Sequence, residues 1–356
     1  MVQQSAIDAD CFSLNTECDK METKKKGKTM EKKRKILIDT DPGIDDGCAI
    51  LTALSDPNLD ILGIMCVAGN KSLPVVTPNA LRLVDFEERD IPVCEGSPCK
   101  LKEIGLDLVQ ENEGVEFHGA DGMGGSGLSY TNRCLSPVKA WDFMLEKIKE
   151  YPDEIDLITL GPLTNVALAI QKDRETMKRL RSITIMGGSF ERKGNTTRYA
   201  EYNIWFDAEA AEIVVRELAD DVKMTFVGLD GTHSCVLSFD EVKFLEFEGG
   251  RRGELLSRIL TWYMRNYWFK DGILGAVIHD LYTVLCLTHP EVIEEEKMLH
   301  CDVLLDDEHY GQTKETEGSG NVRAVMKINH RALIRAWLSV LMPEKQHLID
   351  QLFPEA

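Results

Sequence analysis

A chain of 356 residues, 43% hydrophobic and 28% charged, is long enough to bury a large core and too mixed in composition for a fibrous or disordered protein. Its 41 Lys and Arg against 60 Asp and Glu leave a formal charge of -19, which argues against nucleic acid and anionic membranes as partners, since both select a dense cationic footprint. The longest apolar stretch, Ile61 to Ala68, falls far short of the roughly 18 residues that cross a bilayer. Ten cysteines are scattered without a Cys-x-x-Cys pair, and the N-terminus lacks the apolar segment of a secretory signal, so reduced core thiols and a cytoplasmic location are expected.

Residues 1–34 read as a charged, disordered tail: four acids and no base in the first nineteen, then eight bases and two acids from Lys20 to Arg34. A single domain is expected over 35–356. Its first half alternates β-rich apolar runs with helical patterns. The predicted strands are Lys35 to Ile38, Leu59 to Val67, Ile155 to Leu160, Ser182 to Met186 and Lys223 to Val227. Between them the periodicity predicts helices over Asp46 to Leu54, Pro78 to Phe86, Lys139 to Lys149, Leu163 to Gln171 and Ala208 to Leu218. This alternation predicts an α/β fold with a mainly parallel central sheet, helices on both faces and the chemistry at the strands' carboxyl ends. After Asp230 the pattern is mostly helical to Leu287; strand-like runs follow at Leu299 to Leu305 and Asn321 to Lys327, joined by a hairpin loop, Asp306 to Gly320, and a last helix covers Arg331 to Met342.

The first predicted strand runs into Asp39-Thr40-Asp41-Pro42-Gly43-Ile44-Asp45-Asp46. Four carboxylates in eight residues at the end of a buried strand repel one another unless a cation sits among them, and hard oxygen donors select Ca2+ or Mg2+. Asp at helix starts and Pro-Gly at turns explains one or two of these residues, but not all four together. Gly122, Gly124 and Gly127 have dinucleotide-fingerprint spacing, yet they follow no strand and open no helix.

The octapeptide resembles the N-terminal signature of the nucleoside hydrolase family, the inosine-uridine preferring nucleoside N-ribohydrolases. Val67-Ala68-Gly69-Asn70, Gly161-Pro162-Leu163-Thr164-Asn165, Met186-Gly187-Gly188, Ala200-Glu201-Tyr202-Asn203 with Asp207, Val227-Gly228-Leu229-Asp230-Gly231-Thr232-His233 and His279-Asp280 recur in the family's order. The resemblance implies hydrolysis of the N-glycosidic bond of ribonucleosides, with Ca2+ held by Asp41, Asp46, the Leu160 carbonyl and Asp280. Asp41 is then the base that activates the attacking water, and Asp39 orients the ligands from behind. Asp45, Asn203 and Asp280 would hold the ribose 2′ and 3′ hydroxyls, Asn195 and Glu201 the 5′ hydroxyl. Asn70 would lie beside the water and sugar, with Met186 under the ring. His279 resembles the proton donor to the departing base. The family commonly forms dimers or tetramers, so a homodimer or homotetramer is expected.

The base pocket is expected from His118, on a Gly-rich stretch that resembles a mobile family loop, and from Tyr263, Arg265 and Tyr267 in an aromatic helical segment. An ordinary surface loop and a helix packed in the core are the competing readings of these two segments. An aromatic wall with an Arg265 donor suits a 6-oxopurine, so the reading leans to inosine and guanosine, with broad inosine-uridine hydrolysis as the alternative. A phosphatase using Asp39 as nucleophile is a further alternative, against which Pro42-Gly43 departs from the expected pattern. A binding module without turnover is the third reading.

Overall fold

Parallel strands buried on both faces need continuous apolar runs, and the chain supplies them. The computed structural model describes residues 32–106 and 115–354. Its strands are β1 (Arg34–Thr40), β2 (Leu59–Cys66), β3 (Val93–Glu95), β4 (Ile155–Thr159), β5 (Ser182–Met186), β6 (Lys223–Val227), β7 (Ile293–Val303), β8 (Thr313–Thr316) and β9 (Val322–Ile328). They form one sheet in the order β3-β2-β1-β4-β5-β6-β9-β7-β8. Pairing is parallel from β3 to β9 and antiparallel where β7 joins β9 and β8 joins β7. The expected α/β fold with a mainly parallel sheet is present. Residues Lys33–Ala356 form one compact unit; the expected tail, 1–34, lies almost wholly outside the described residues.

The helices are α1 (Ile44–Ser55), α2 (Leu73–Phe86), α3 (Val115–His118), α4 (Ala140–Glu150), α5 (Thr164–Met177), α6 (Tyr202–Phe206), α7 (Ala208–Leu218), α8 (Leu229–Thr232), α9 (Phe239–Glu248), α10 (Gly250–Asp271), α11 (His279–Thr288), α12 (His330–Leu341) and α13 (Gln346–Leu352). They divide between two apolar cores, one on each face of the sheet. Helices α1, α2, α10, α11 and α12 share one core with Ile36 and Ile38 of β1. Helices α4, α5 and α7 pack on Leu37 of the same strand from the other side. Successive residues of a strand point to opposite faces, so three consecutive apolar residues anchor both layers. No helix among the described residues is long and apolar enough to cross a membrane. All eight cysteines among them are free thiols.

The departures from expectation have physical reasons. Helix α2 begins at Leu73, five residues before Pro78, with Pro at its first turn and Pro78 inside. A second proline one turn in lacks an N–H that would otherwise reach the preceding turn, and reads in a sequence as a start. Strand β3 is only three residues long. Strand β7 begins at Ile293, ahead of Leu299, because its charged first half is an exposed stretch tied across to β9 by Glu294–Lys327 and Glu296–Arg323 ion pairs. The supposed loop from Asp306 to Gly320 holds β8, which pairs Thr313 with Val303.

The order β3-β2-β1-β4 means that the chain runs outward from β1 through β2 to β3 and then crosses back to place β4 on the other side of β1. A crevice therefore opens at the carboxyl end of β1, between the loops after β1, β2 and β4. The octapeptide, Gly69-Asn70 and Leu160 stand there.

Candidate active site

Strand β1 ends at Thr40 and α1 begins at Ile44, so of the four octapeptide carboxylates Asp39 closes the strand, Asp41 sits on a tight bend, and Asp45 and Asp46 fall in the first helical turn. All are buried. Asp46 turns back over the bend: it accepts from the Gly43 N–H at 2.9 Å, from Asn70 Nδ2 at 3.0 Å and from the Thr40 hydroxyl. Asp41 Oδ2 accepts from the Asn70 N–H at 2.6 Å. Asp39 Oδ2 accepts from Asn165 Nδ2 at 2.8 Å, and Asp45 Oδ2 from the Tyr263 hydroxyl at 3.2 Å.

The space around Asp41 explains two sequence motifs. A Cβ on Gly69 would lie 2.1 Å from Asp41 Oδ2, and one on Gly161 would lie 2.4 Å from Oδ1. The Gly-Asn after β2 and the Gly-Pro after β4 are glycines because the Asp41 carboxylate passes between them.

Asp280 arrives in the first turn of α11, and Asp45 and Asp46 in the first turn of α1. Two helix N-termini therefore direct partial positive charge at one acid cluster. It is too little to neutralise it. The carboxylates of Asp45, Asp46 and Asp280 offer oxygens within 4.8 Å of one another. Among the described residues, no Lys or Arg pairs with any of these three or with Asp41. Burial first, then repulsion from its acidic neighbours, pushes Asp41 well up, Asp280 well up and Asp45 up to about 7; burial also raises Asp46. Oδ1 of both Asp41 and Asp45 is buried without a hydrogen-bond partner. Desolvated carboxylates gathered from two chain segments, with unpaired oxygens on Asp41 and Asp45, fit a hard divalent cation.

The remaining expected site residues divide. Asn203 Nδ2 donates to the Leu160 carbonyl at 2.8 Å and to that of Met186 at 3.2 Å, bringing all three together. Glu201, capping α6, accepts from the backbone N–H groups of Asn203, Ile204 and Gly188 and is raised by burial to about 7. Asn195 is exposed, with Oδ1 accepting from the Tyr202 N–H at 2.9 Å. His118 is buried rather than on an ordinary surface loop, and Nδ1 accepts from the Ile44 N–H at 3.1 Å. Burial, followed by the nearby Lys71, lowers it to about 3.

Tyr263 and Tyr267 are buried on one face of α10 and pack edge-on against each other and against Phe117. Arg265 does not join them. Two residues along a helix is more than half a turn, so its side chain lies exposed on the opposite face, over Phe269. The donor on which the 6-oxopurine lean rested is turned away from the tyrosines.

His279 is held at both ring nitrogens, Nε2 at 3.0 Å from the Tyr267 hydroxyl and Nδ1 at 2.8 Å from Thr232 Oγ1. Tyr267 gives its only proton to the Val277 carbonyl at 3.2 Å, so it accepts from Nε2–H, and the Thr232 hydroxyl donates to Nδ1. Burial, then the neighbouring His233, lowers His279 to about 3 and keeps the ring neutral. The sequence motifs assign no role to Thr232 or Asn165. Both stand inside quoted motifs, but nothing in a motif says which hydroxyl or amide meets which partner.

The sequence model of a family described as inosine-uridine preferring nucleoside hydrolase matches residues 36–335. The chain belongs to this family. Among nucleoside hydrolases it is 38% identical to uridine nucleosidase 1 of Arabidopsis thaliana over 76% of this chain and 79% of that one. It is 32% identical to a pyrimidine-specific ribonucleoside hydrolase of Escherichia coli, over 75% and 82%. Among solved structures, a plant nucleoside hydrolase superposes with a TM-score of 0.80 at 29% identity, covering 86% of this chain and 98% of that one. A purine-preferring ribonucleoside hydrolase from Gardnerella vaginalis shares the fold, with a TM-score of 0.81 at 23% identity over 88% and 100%.

Proposed function

We propose that this nucleoside hydrolase cleaves the N-glycosidic bond of uridine and related pyrimidine ribonucleosides to free base and ribose. The observation that carries the reading is the buried carboxylate cluster with orphaned oxygens on Asp41 and Asp45. Asp41, Asp46, Asp280 and the Leu160 carbonyl are the proposed Ca2+ ligands, with Asp45 close enough to Asp46 and Asp280 to contribute. When bound, the ion would neutralise the cluster and polarise the attacking water.

Asp41 accepts the proton of that water, its free Oδ1 being the atom available for it. Asp45, Asn203 and Asp280 hold the 2′ and 3′ hydroxyls, Asn195 and Glu201 the 5′ hydroxyl, and Met186 lies beneath the ring. Positive charge developing on the ribose is stabilised by the surrounding carboxylates. The Tyr267–His279–Thr232 chain is the proposed source of the proton for the departing base. Asp39 lies within β1, two residues before Asp41, and is bonded to Asn165, a place that suits a supporting carboxylate better than a phosphatase nucleophile.

The pyrimidine assignment follows the activities for which the relatives are named and the outward turn of Arg265. Broad inosine-uridine hydrolysis is the second reading, favoured by the wide aromatic wall of Phe117, Tyr263 and Tyr267. Comparing kcat/KM for uridine, cytidine, inosine, guanosine and adenosine tests both: uridine should lead, and inosine exceeding it tenfold would restore the purine lean. Exhaustive chelation should abolish activity and calcium titration restore it. Light scattering tests the proposed homo-oligomer against a single-chain mass.

A further inference from the structure

The loop after β5 leaves the sheet at Gly187 and returns at Glu201. Its near limb is bound with unusual completeness. Asp230, in the first turn of α8, is 7% exposed and accepts from three successive backbone N–H groups: Phe190 at 2.7 Å, Glu191 at 2.9 Å and Arg192 at 2.9 Å. From the opposite side, Thr313 Oγ1 accepts from the Ser189 N–H at 2.9 Å and donates to the Ser189 carbonyl at 3.1 Å. Ser189 Oγ donates to the Arg192 carbonyl at 2.7 Å, and the Leu229 N–H to the Gly188 carbonyl at 2.9 Å.

Beyond Arg192 the hold slackens. Asn195 to Arg198 are exposed, and the outer turn is closed by the Gly194 N–H on the Arg198 carbonyl at 3.0 Å and by Asn195 Oδ1 on Tyr202. Asn195 thus takes its place from the fixed limb before it and Glu201 after it.

We propose that Asp230 is a positioning residue for recognition of the ribose 5′ hydroxyl, acting through the 188–201 loop that carries Asn195 and ends at Glu201. The proposal rests on the ribohydrolase reading and on the 5′ assignment of those two residues. Three backbone donors on one carboxylate are charge-assisted bonds, stronger than neutral ones. Asp230→Asn keeps the shape but leaves one oxygen for three donors and turns an NH2 against at least one of them. Displacing the loop by about 1 Å misplaces Asn195 and loses up to about 100-fold in rate, as for any misaligned positioning group.

The test is kcat and KM of the full-length D230N protein on uridine and on 5′-deoxyuridine, which lacks the hydroxyl in question. D230N should lower kcat/KM for uridine by about 10- to 100-fold while 5′-deoxyuridine changes little, so that the wild-type preference for the 5′ hydroxyl collapses. Thr313→Val, which frees the same limb from the other side, should shift the preference in the same direction by less, and it decides the matter if D230N does not fold. Equal losses on both substrates, or an unchanged preference in both variants, would overturn the proposal alone. A wild-type enzyme that cleaves neither uridine nor inosine would overturn the ribohydrolase reading and this proposal with it.

Discussion

Asn165 is the side chain whose removal should damage the site's foundation most without touching substrate. It donates to Asp39 Oδ2 at 2.8 Å and to the Cys66 carbonyl at 3.1 Å, and accepts from the Ser97 N–H at 2.8 Å. The ends of β1 and β2 and the loop after β3 are thereby tied to the start of α5, and every atom involved is buried. A buried hydrogen bond to a charged group contributes about 1.5 to 3 kcal/mol and a neutral one about 0.5 to 1.5 kcal/mol. One of the first and two of the second put Asn165→Ala near 4 kcal/mol. At roughly 2 °C per kcal/mol for a domain of this size, the melting temperature should fall by about 8 °C. Asn165→Asp should do no better, because it keeps the acceptor for Ser97 but sets a second carboxyl against Asp39. Thermal melts at saturating calcium measure both variants. An Asn165→Ala protein melting within about 2 °C of wild type would refute the assumption that buried bonds at this junction carry their usual weight.

His279→Ala should impair uridine far more than p-nitrophenyl riboside, whose leaving group departs without a proton; equal losses would reduce His279 to a packing role. Asp41→Asn should lower kcat by roughly two to four orders of magnitude while the fold persists, the range expected for a positioned base and its water; near-normal turnover would require another base. Arg265→Ala should leave uridine and inosine kcat/KM within about twofold, since the side chain lies on the exposed face; a tenfold loss on inosine alone would bring Arg265 back into the pocket. His330 Nε2 lies 2.8 Å from Glu241 Oε1, and the Cys235 thiol and Glu241 raise it from 6.5 to about 10. Its folded-state value exceeds the unfolded one, so its stabilisation is complete below pH 6.5 and fades as pH rises through about 10. His330→Gln should accordingly lower the melting temperature more at pH 6 than at pH 10, and the opposite trend would refute the pairing.

Much of the architecture was legible because its signals are local. Ile36 to Ile38 are three consecutive apolar residues followed by an acidic bend, and such a run announces both a strand buried on two faces and the place where it ends. Strand β8 was hidden for the opposite reason: Thr313 is buried by its partners across the sheet, while its neighbours Lys314 and Glu315 face water. At the site, a motif predicts that Asp41 and Asn70 belong together. It does not predict that Arg265 faces away from Tyr263, because a helical face is defined only by what packs against it. Thr232 on His279 and Asp230 on three N–H groups are likewise tertiary facts, set by how the turn after β6 meets α11 and the loop after β5.

The carboxylate cluster draws Asp41 and Asp46 from near the start of the domain and Asp280 from its last third. A ribosome therefore exposes an acidic bend long before it delivers the aspartate and the helix end that complete the cluster. Until then the bend is a solvated run of negative charge with weak hold on any cation. Capture of the proposed calcium should coincide with the docking of α11 onto α1, and its affinity would then gauge whether the whole chain has closed. Truncations ending before His279 should bind the ion poorly however well their early strands pair. A nick between α10 and α11 that lets α11 leave should weaken the proposed calcium site in the same way.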